Sequence, residues 1–403
     1  MSLRVDIKKR LKGFTLETSF SSGDHSTLGL LGASGSGKSM TLQCIAGLIS
    51  PDEGVICAND RTLFDSAAGI NLKPQARGVG YLFQNYALFP NMTVRKNVEI
   101  AYRGEPRERD AAVNALLARY ELTEQAGKYP VHLSGGQQQR AALARIFAYE
   151  PAVLLLDEPF SALDTFLREN MQAELKRIIR GYAGDVVLVT HSRDEAYKIA
   201  DRLVILEAGR AVAEGKTQDV FACPQTIQAA RITGCKNISR IRPTGRTTFF
   251  ALDWGVELDA GAEILPAYTH AGIRAHDFVP GDFMPRGERG GGDGGERGGA
   301  IGGEYGGNCF SIEIEDVIRG QFEKSVIFRV PREAGQPSGH SGQPCAAGAE
   351  SPGRMWWITD RRTGGAGGAG SEAEAEAVFG VNADLDPIRS LYVAPGDIML
   401  LRG

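Results

Sequence analysis

The chain has 403 residues, enough at roughly 150 per domain for two or three domains that each bury a core. Lys and Arg number 45 against 49 Asp and Glu, a net charge of -4 with the signs mixed, so the basic face that grips a phosphodiester backbone is missing and nucleic acid is not an expected partner. Six scattered cysteines without a C-x-x-C pair indicate neither zinc nor a disulfide framework, and no run approaches the roughly 18 apolar residues of a membrane helix.

The first residues, Met1 to Phe14, are basic but lack the apolar core of a secretory signal, which predicts a reducing aqueous compartment. From there to about Pro224, short apolar runs alternate with helical spacing, the pattern of an α/β layer structure. Thr27 to Leu31, Val153 to Leu156 and Val186 to Val189 are nearly all apolar, as strands covered on both faces of a parallel sheet must be. Met40 to Leu48, Asp110 to Tyr120 and Thr165 to Ile179 have helical spacing.

Between the first strand and the first helix lies Gly32-Ala33-Ser34-Gly35-Ser36-Gly37-Lys38-Ser39, which fits G-x-x-x-x-G-K-[ST] in the strand–loop–helix context that motif requires. Its glycines let backbone N–H groups face phosphate oxygens, Lys38 reaches toward the terminal phosphates, and Ser39 is placed to hold Mg²⁺. Leu133-Ser134-Gly135-Gly136-Gln137 reads as a capping box through Ser134 and Gln137. Capping does not account for two glycines in a first helical turn; an approaching phosphate does. The strand Val153 to Leu156 runs into Asp157 and Glu158 at the sheet end where ligands sit. Asp157 suits the surroundings of Mg²⁺, and Glu158 the acceptance of a proton from attacking water.

In Tyr81 to Val94, Gln84 is followed by Tyr86, Leu88, Phe89 and Met92, a set dense enough either to fill a small core or to line a groove for a partner helix. After residue 235 the pattern turns β-like, with strands expected at Thr247 to Leu252, Cys309 to Ile314, Ser325 to Val330, Met355 to Ile358 and Asp397 to Leu401. Three inserts, 287–307, 334–354 and 363–377, hold much of the excess glycine; in the first, 12 of 21 residues are glycine, and surface loops are expected there.

The order of these motifs, with Ser161-Ala162-Leu163-Asp164 and a histidine, His191, just beyond the strand ending at Val189, resembles the ATP-binding cassette (ABC) family over about residues 3 to 235. The resemblance implies a P-loop ABC ATPase cassette in residues 1–235, with a mixed sheet core and a helical subdomain at about 86–150, followed by a small all-β barrel-like accessory domain in 236–403. It also implies ATP and Mg²⁺ as cofactors, and a head-to-tail homodimer in which each ATP lies between one subunit's phosphate loop and the partner's Ser134, Gly135, Gly136 and Gln137. Residue by residue, Gly32, Ala33, Ser34, Gly35, Ser36, Gly37, Lys38, Ser39, Met40 and Asp157 would bind nucleotide. Ser39, Gln84 and Asp157 would attend the metal, Glu158 would be the general base, His191 would contact the γ-phosphate, and Asp164 would belong to the D-loop. Phe14 is the candidate for stacking on adenine, with a core role as its alternative.

The finer resemblance is to ATPases of bacterial oxyanion importers, above all the molybdate type, through Leu63 to Ser66, Gly69 to Leu72, Pro74 to Arg77, Gly80 to Pro90, Gly234 to Ser239 and Gly272 to Asp277. It implies a motor on the cytoplasmic face of a bacterial membrane, working with two membrane-spanning permease subunits and indirectly with a solute-binding protein. Sulfate, tungstate or another solute, an exporter, and a soluble non-transport ABC protein are the alternatives. The 50-residue interval from Gln84 to Ser134 is too short for the coiled coil of DNA-repair relatives.

Overall fold

In the computed structural model, the described residues are 3–23, 26–161, 165–280, 308–319, 323–331, 354–360 and 390–403. Almost all of the three glycine-rich inserts lies outside them. The chain divides into two compact units, Met1–Ala222 and Cys223–Gly403.

The first unit begins with the antiparallel hairpin β1 (Leu3–Leu11) and β2 (Phe14–Ser21), in which Leu3, Val5, Ile7, Leu16, Thr18 and Phe20 are buried while Arg4, Asp6, Glu17 and Ser19 between them face outward. β3 (Thr27–Leu31) leads into α1 (Lys38–Ala46), then β4 (Glu53–Ala58), β5 (Arg61–Asp65), β6 (Ile70–Asn71) and β7 (Val79–Leu82). Three helices follow, α2 (Val94–Glu99), α3 (Arg109–Arg119) and α4 (Gly135–Phe147). The chain re-enters the sheet through β8 (Val153–Asp157), α5 (Thr165–Arg180), β9 (Asp185–Thr190), α6 (Arg193–Ile199), β10 (Arg202–Glu207) and β11 (Arg210–Lys216), and closes with α7 (Thr217–Ala222). The sheet order is β6-β5-β4-β1-β2-β11-β10-β3-β9-β8-β7. Its β10-β3-β9-β8-β7 half is parallel throughout, so the ligand-facing ends of four successive loops converge on one edge.

Every residue of β3, β8 and β9 is buried. The reason is visible in the packing: Leu154, Leu156, Val186 and Leu188 enter the core shared with α2 to α5, whereas Val153, Leu155, Val187 and Val189 enter the core shared with α1 and the β1–β2 hairpin. A strand serving two cores has no polar face, hence the uniform apolar runs.

The helix carrying the phosphate loop is fastened at its far end by Arg77. That buried guanidinium donates to the carbonyls of Cys44 and Ile45 at 2.8 and 2.9 Å, to the carbonyl of Leu72 and to Asn71. A cation there satisfies the orphan carbonyls of α1 and suits its negative pole.

Among the described residues the second unit is mostly β, with one short α-helix at Ile227–Ile232. An antiparallel five-stranded sheet combines Val256–Asp259, Thr248–Ala251, Asn237–Pro243, Tyr268–Ile273 and Ile398–Arg402, in that order. Two three-stranded sheets join Val279–Pro280, Ser390–Tyr392 and Cys309–Ser311, and Glu313–Arg319, Glu323–Arg329 and Arg354–Asp360. Their shared core centres on Phe278, which meets Phe310 and Phe328 edge-on at 6.2 and 5.5 Å. The strands expected around residues 247, 309, 325, 355 and 397 are present with shifted bounds. Asn237–Pro243, Val256–Asp259 and Tyr268–Ile273 were not expected.

Candidate active site

The loop 32–39 leaves β3 through Gly32, where a Cβ would stand 2.2 Å from the Leu206 carbonyl oxygen of β10, so no side chain fits. Gly35 and Gly37 have φ of 80° and 102°, the left-handed region that glycine enters at little cost. Gly37 is also the N-cap of α1 and gives that helix no side-chain cap. The first amides of α1 are therefore left for a ligand. Ser36, buried beneath the loop, has a hydroxyl oxygen without a hydrogen-bond partner. An orphaned buried hydroxyl, uncapped amides and a close-approach glycine suit a bound phosphate chain.

Lys38 is 4% exposed, and its ammonium donates to the carbonyls of Gly32 and Ala33, both at 2.8 Å. Burial pushes it below the ordinary lysine range, opposed by the nearby carboxylates of Glu158 and Asp157. A desolvated cation held in the loop by two neutral carbonyls has strong reason to bind an anion. Ser39 donates its hydroxyl to Asp157 Oδ1 at 2.8 Å, joining the start of α1 to the end of β8. Among the described residues no group of three or more His, Cys, Asp or Glu could hold a metal. Mg²⁺ is compatible with that, because it usually takes one or two protein oxygens and completes its shell with water and substrate phosphates, and Ser39 with Asp157 supplies such a pair.

Glu158 leaves the strand with φ of 45°. Its N–H donates to the Val189 carbonyl at 3.0 Å, and its own carbonyl accepts from both the N–H and the hydroxyl of Ser161. Pro159 disfavours the right-handed helical region for the residue before it. Together these hold a left-handed conformation that costs a non-glycine residue about 1–2 kcal/mol. The half-buried carboxylate lies 3.2 Å from Nδ1 of the exposed His191, which follows β9. Glu158 and His191 thus meet at the ends of adjacent parallel strands. Gln84, just past β7, is exposed and lines an open cleft with Phe83, Asn85, Asp157 and Ser161.

Ser134 and Gln137 form the expected capping box on α4: Ser134 Oγ accepts from Gln137 N at 3.3 Å, and Gln137 Oε1 from Ser134 N at 3.0 Å. Gly135 and Gly136 occupy the first turn, with Gly136 buried. Among the described residues no hydrogen bond joins Ser134 to Gln137 with the phosphate loop or with Glu158, so the structure brings together Lys38, Ser39, Asp157, Glu158 and His191 but not the Gly-Gly turn. Asp164 lies outside the described residues, as do Ala162 and Leu163. Phe14 is half-buried against the β1–β2 core, its ring 3.2 Å from where a Cβ on Gly37 would stand. Met40 is likewise half-buried against that core.

The run after Gln84 divides. Tyr86 is buried and Leu88 packs on the helical core, whereas Phe89 is 45% exposed beneath the guanidinium of Arg145, 5.3 Å from the ring centre. Asn97, fully buried, bonds the N–H of Phe89 and the carbonyls of Phe89, Met92 and Thr93, fixing that segment. Sequence reasoning missed Tyr81, whose hydroxyl donates to Asp157 Oδ2 at 2.8 Å, and Arg77 behind α1. A tyrosine at the end of an apolar strand looks like core.

The ABC transporter family profile matches residues 16–161. Over 245 residues the chain is 42% identical to the sulfate/thiosulfate import ATP-binding protein CysA of Mesostigma viride, covering 59% of this chain and 68% of that protein. The CysA protein of Caulobacter vibrioides is 39% identical over 269 residues, 64% of this chain and 75% of the relative. The spermidine/putrescine import ATP-binding protein PotA of Nitratidesulfovibrio vulgaris is 42% identical over 214 residues, 52% and 56% of the two chains. With a mixed sheet whose parallel strands end in a phosphate loop and a paired carboxylate, and with relatives matched over two thirds or more of their length, the chain belongs to the ABC transporter family as an ATP-binding cassette.

Proposed function

We propose that the chain is the ATP-hydrolysing motor subunit of a membrane importer for an oxyanion. The carrying observation is the convergence of Lys38, Ser39, Asp157, Glu158 and His191 on one end of the parallel strands. The cassette uses ATP with Mg²⁺. Ser39 and Asp157 would hold the Mg²⁺, which would supply charge neutralisation on the phosphates. The uncapped amides of α1 and Lys38 hold the phosphate chain, and the left-handed turn at Glu158 presents its carboxylate to accept a proton from water. His191, paired with that carboxylate, orients it.

Among the described residues no hydrogen bond joins the N-terminus of α4 to this cluster, which supports a homodimer in which Ser134 to Gln137 of one subunit closes the site of the other. Exposed Phe89, on a segment clamped by Asn97, supports docking to two permease subunits at the cytoplasmic membrane face, with a solute-binding protein supplying the solute. Sulfate/thiosulfate relatives support an oxyanion. The segments Gly80 to Pro90 and Gly272 to Asp277 support molybdate within that class, and the PotA likeness makes a polyamine the second reading.

Purified protein should hydrolyse ATP only with Mg²⁺, and Lys38→Ala should weaken ATP binding by at least about tenfold through loss of a charge-assisted contact. Unchanged affinity in that variant would remove the loop from nucleotide binding. Coexpressed with its permease subunits, the wild type should drive uptake of labelled sulfate or molybdate, each competing with the other; uptake of spermidine alone would replace the oxyanion reading.

A further inference from the structure

Tyr81 is a buried residue with a polar tip in the apolar strand β7, and neither the phosphate loop nor the base requires it. In the parallel register Tyr81 faces Leu155, so Asp157, two residues further along β8, lies on the same face of the pleat. The phenol reaches Asp157 Oδ2 at 2.8 Å while Ser39 occupies Oδ1 at the same distance. Tyr81 is 9% and Asp157 7% exposed, so neither group has ready recourse to water. The tyrosine ring stacks on Phe83, centroids 4.2 Å apart, one residue before Gln84 in the cleft that Asp157 also lines.

We propose that Tyr81 is a positioning residue for the magnesium–nucleotide site: its hydroxyl locks the rotation of the Asp157 carboxylate, so that Oδ1 stays aligned on Ser39 and the remaining lone pairs face the metal's water shell. The inference rests on the reading of Ser39 and Asp157 as the Mg²⁺ site. A carboxylate has about four acceptor positions, so two donors fix its plane and still leave capacity for metal-bound water. Outer-shell partners of this kind orient a ligand group without touching the metal. The stacked Phe83 extends the restraint to the stem of the Gln84 loop, so that Asp157 and Gln84 are held by one rigid pair of rings. Phenylalanine at position 81 would keep the stack on Phe83 and nearly the same volume but supply no hydroxyl to Asp157.

The test is the isosteric variant Tyr81→Phe, with nucleotide affinity measured by titration calorimetry across a Mg²⁺ series and again in excess EDTA. The Mg²⁺ concentration for half-maximal strengthening of ATP binding should rise about tenfold, the lower end of the usual cost of losing an outer-shell partner, while affinity in EDTA stays within about twofold. Equal losses with and without the metal would make Tyr81 a structural residue and overturn the proposal, as would an unchanged Mg²⁺ response. A wild type indifferent to Mg²⁺ would overturn the site reading as well, which separates the two failures. Because Tyr81→Phe strips a buried carboxylate of a donor and can impair folding, the double variant Asp157→Asn with Tyr81→Phe is measured beside Asp157→Asn alone; removing the charge that needs the donor keeps the pair close to neutral. If Tyr81 acts through Asp157, the second substitution leaves the Mg²⁺ response of Asp157→Asn unchanged; additive weakening contradicts that route.

Discussion

The parallel half of the first unit and the sheets of the second are built from strands of similar length, yet they carry different information. β8 and β9 lie between two cores and send alternate residues into each, so Val153–Leu156 and Val186–Val189 are uninterrupted apolar runs, with polar residues only at the strand ends. In the second unit Val256–Asp259 covers one core with Val256 and Leu258 and turns Glu257 outward, and the short strand ends in the charged Asp259. A strand between two cores is held rigidly enough for its end to fix a carboxylate, as β8 holds Asp157 against Ser39; a strand on one core mainly covers that core.

The contrast is open to direct attack, because Trp254, Trp356 and Trp357 all fall in the second unit. Tryptophan fluorescence therefore reports that unit, and nucleotide binding reports the first. Phe328→Ala removes a ring that is 0% exposed and packed against Phe278, and should cost the second unit about 3–5 kcal/mol. Denaturation followed by fluorescence should shift accordingly while ATP affinity holds. A matching loss of ATP affinity would mean that the cassette borrows rigidity from the β unit. Arg77→Met is the smaller and opposite lesion. By leaving the carbonyls of Cys44, Ile45 and Leu72 without a charged donor it should destabilise the first unit by about 2–3 kcal/mol and weaken nucleotide binding through α1, with the fluorescence transition unmoved.

The same contrast explains what could be read in the sequence. The phosphate loop and β3, β8 and β9 were legible because the chemistry demands glycine, lysine and carboxylate at fixed local spacing and the two cores demand uninterrupted apolar runs. Val256–Asp259 was not, since one-sided burial in four residues leaves only two apolar positions, and Tyr268–Ile273 was not, since its buried residues Ala271, Gly272 and Ile273 are consecutive and include a glycine, so no period of two appears. Tyr81 was hidden for another reason: its partner is 76 residues away, and only the parallel register of β7 on β8 makes them neighbours. Arg77 likewise caps a helix 32 or 33 residues upstream. The left-handed turn at Glu158 depends on Val189 and Ser161, which no local pattern announces. For Tyr86 and Phe89 the apolar run alone could not separate core from surface; the structure buries the first and leaves the second exposed.

The proposed mechanism assigns to Glu158 the acceptance of the proton from water and no part in holding ATP. Its most direct test is Glu158→Gln, with Mg²⁺-ATP affinity and single-turnover hydrolysis measured on one preparation. Affinity should stay within about twofold and the hydrolysis rate should fall by at least about 100-fold, the usual contribution of a positioned general base. Hydrolysis within a few-fold of the wild type, or a loss of ATP affinity as large as the loss of rate, would contradict it.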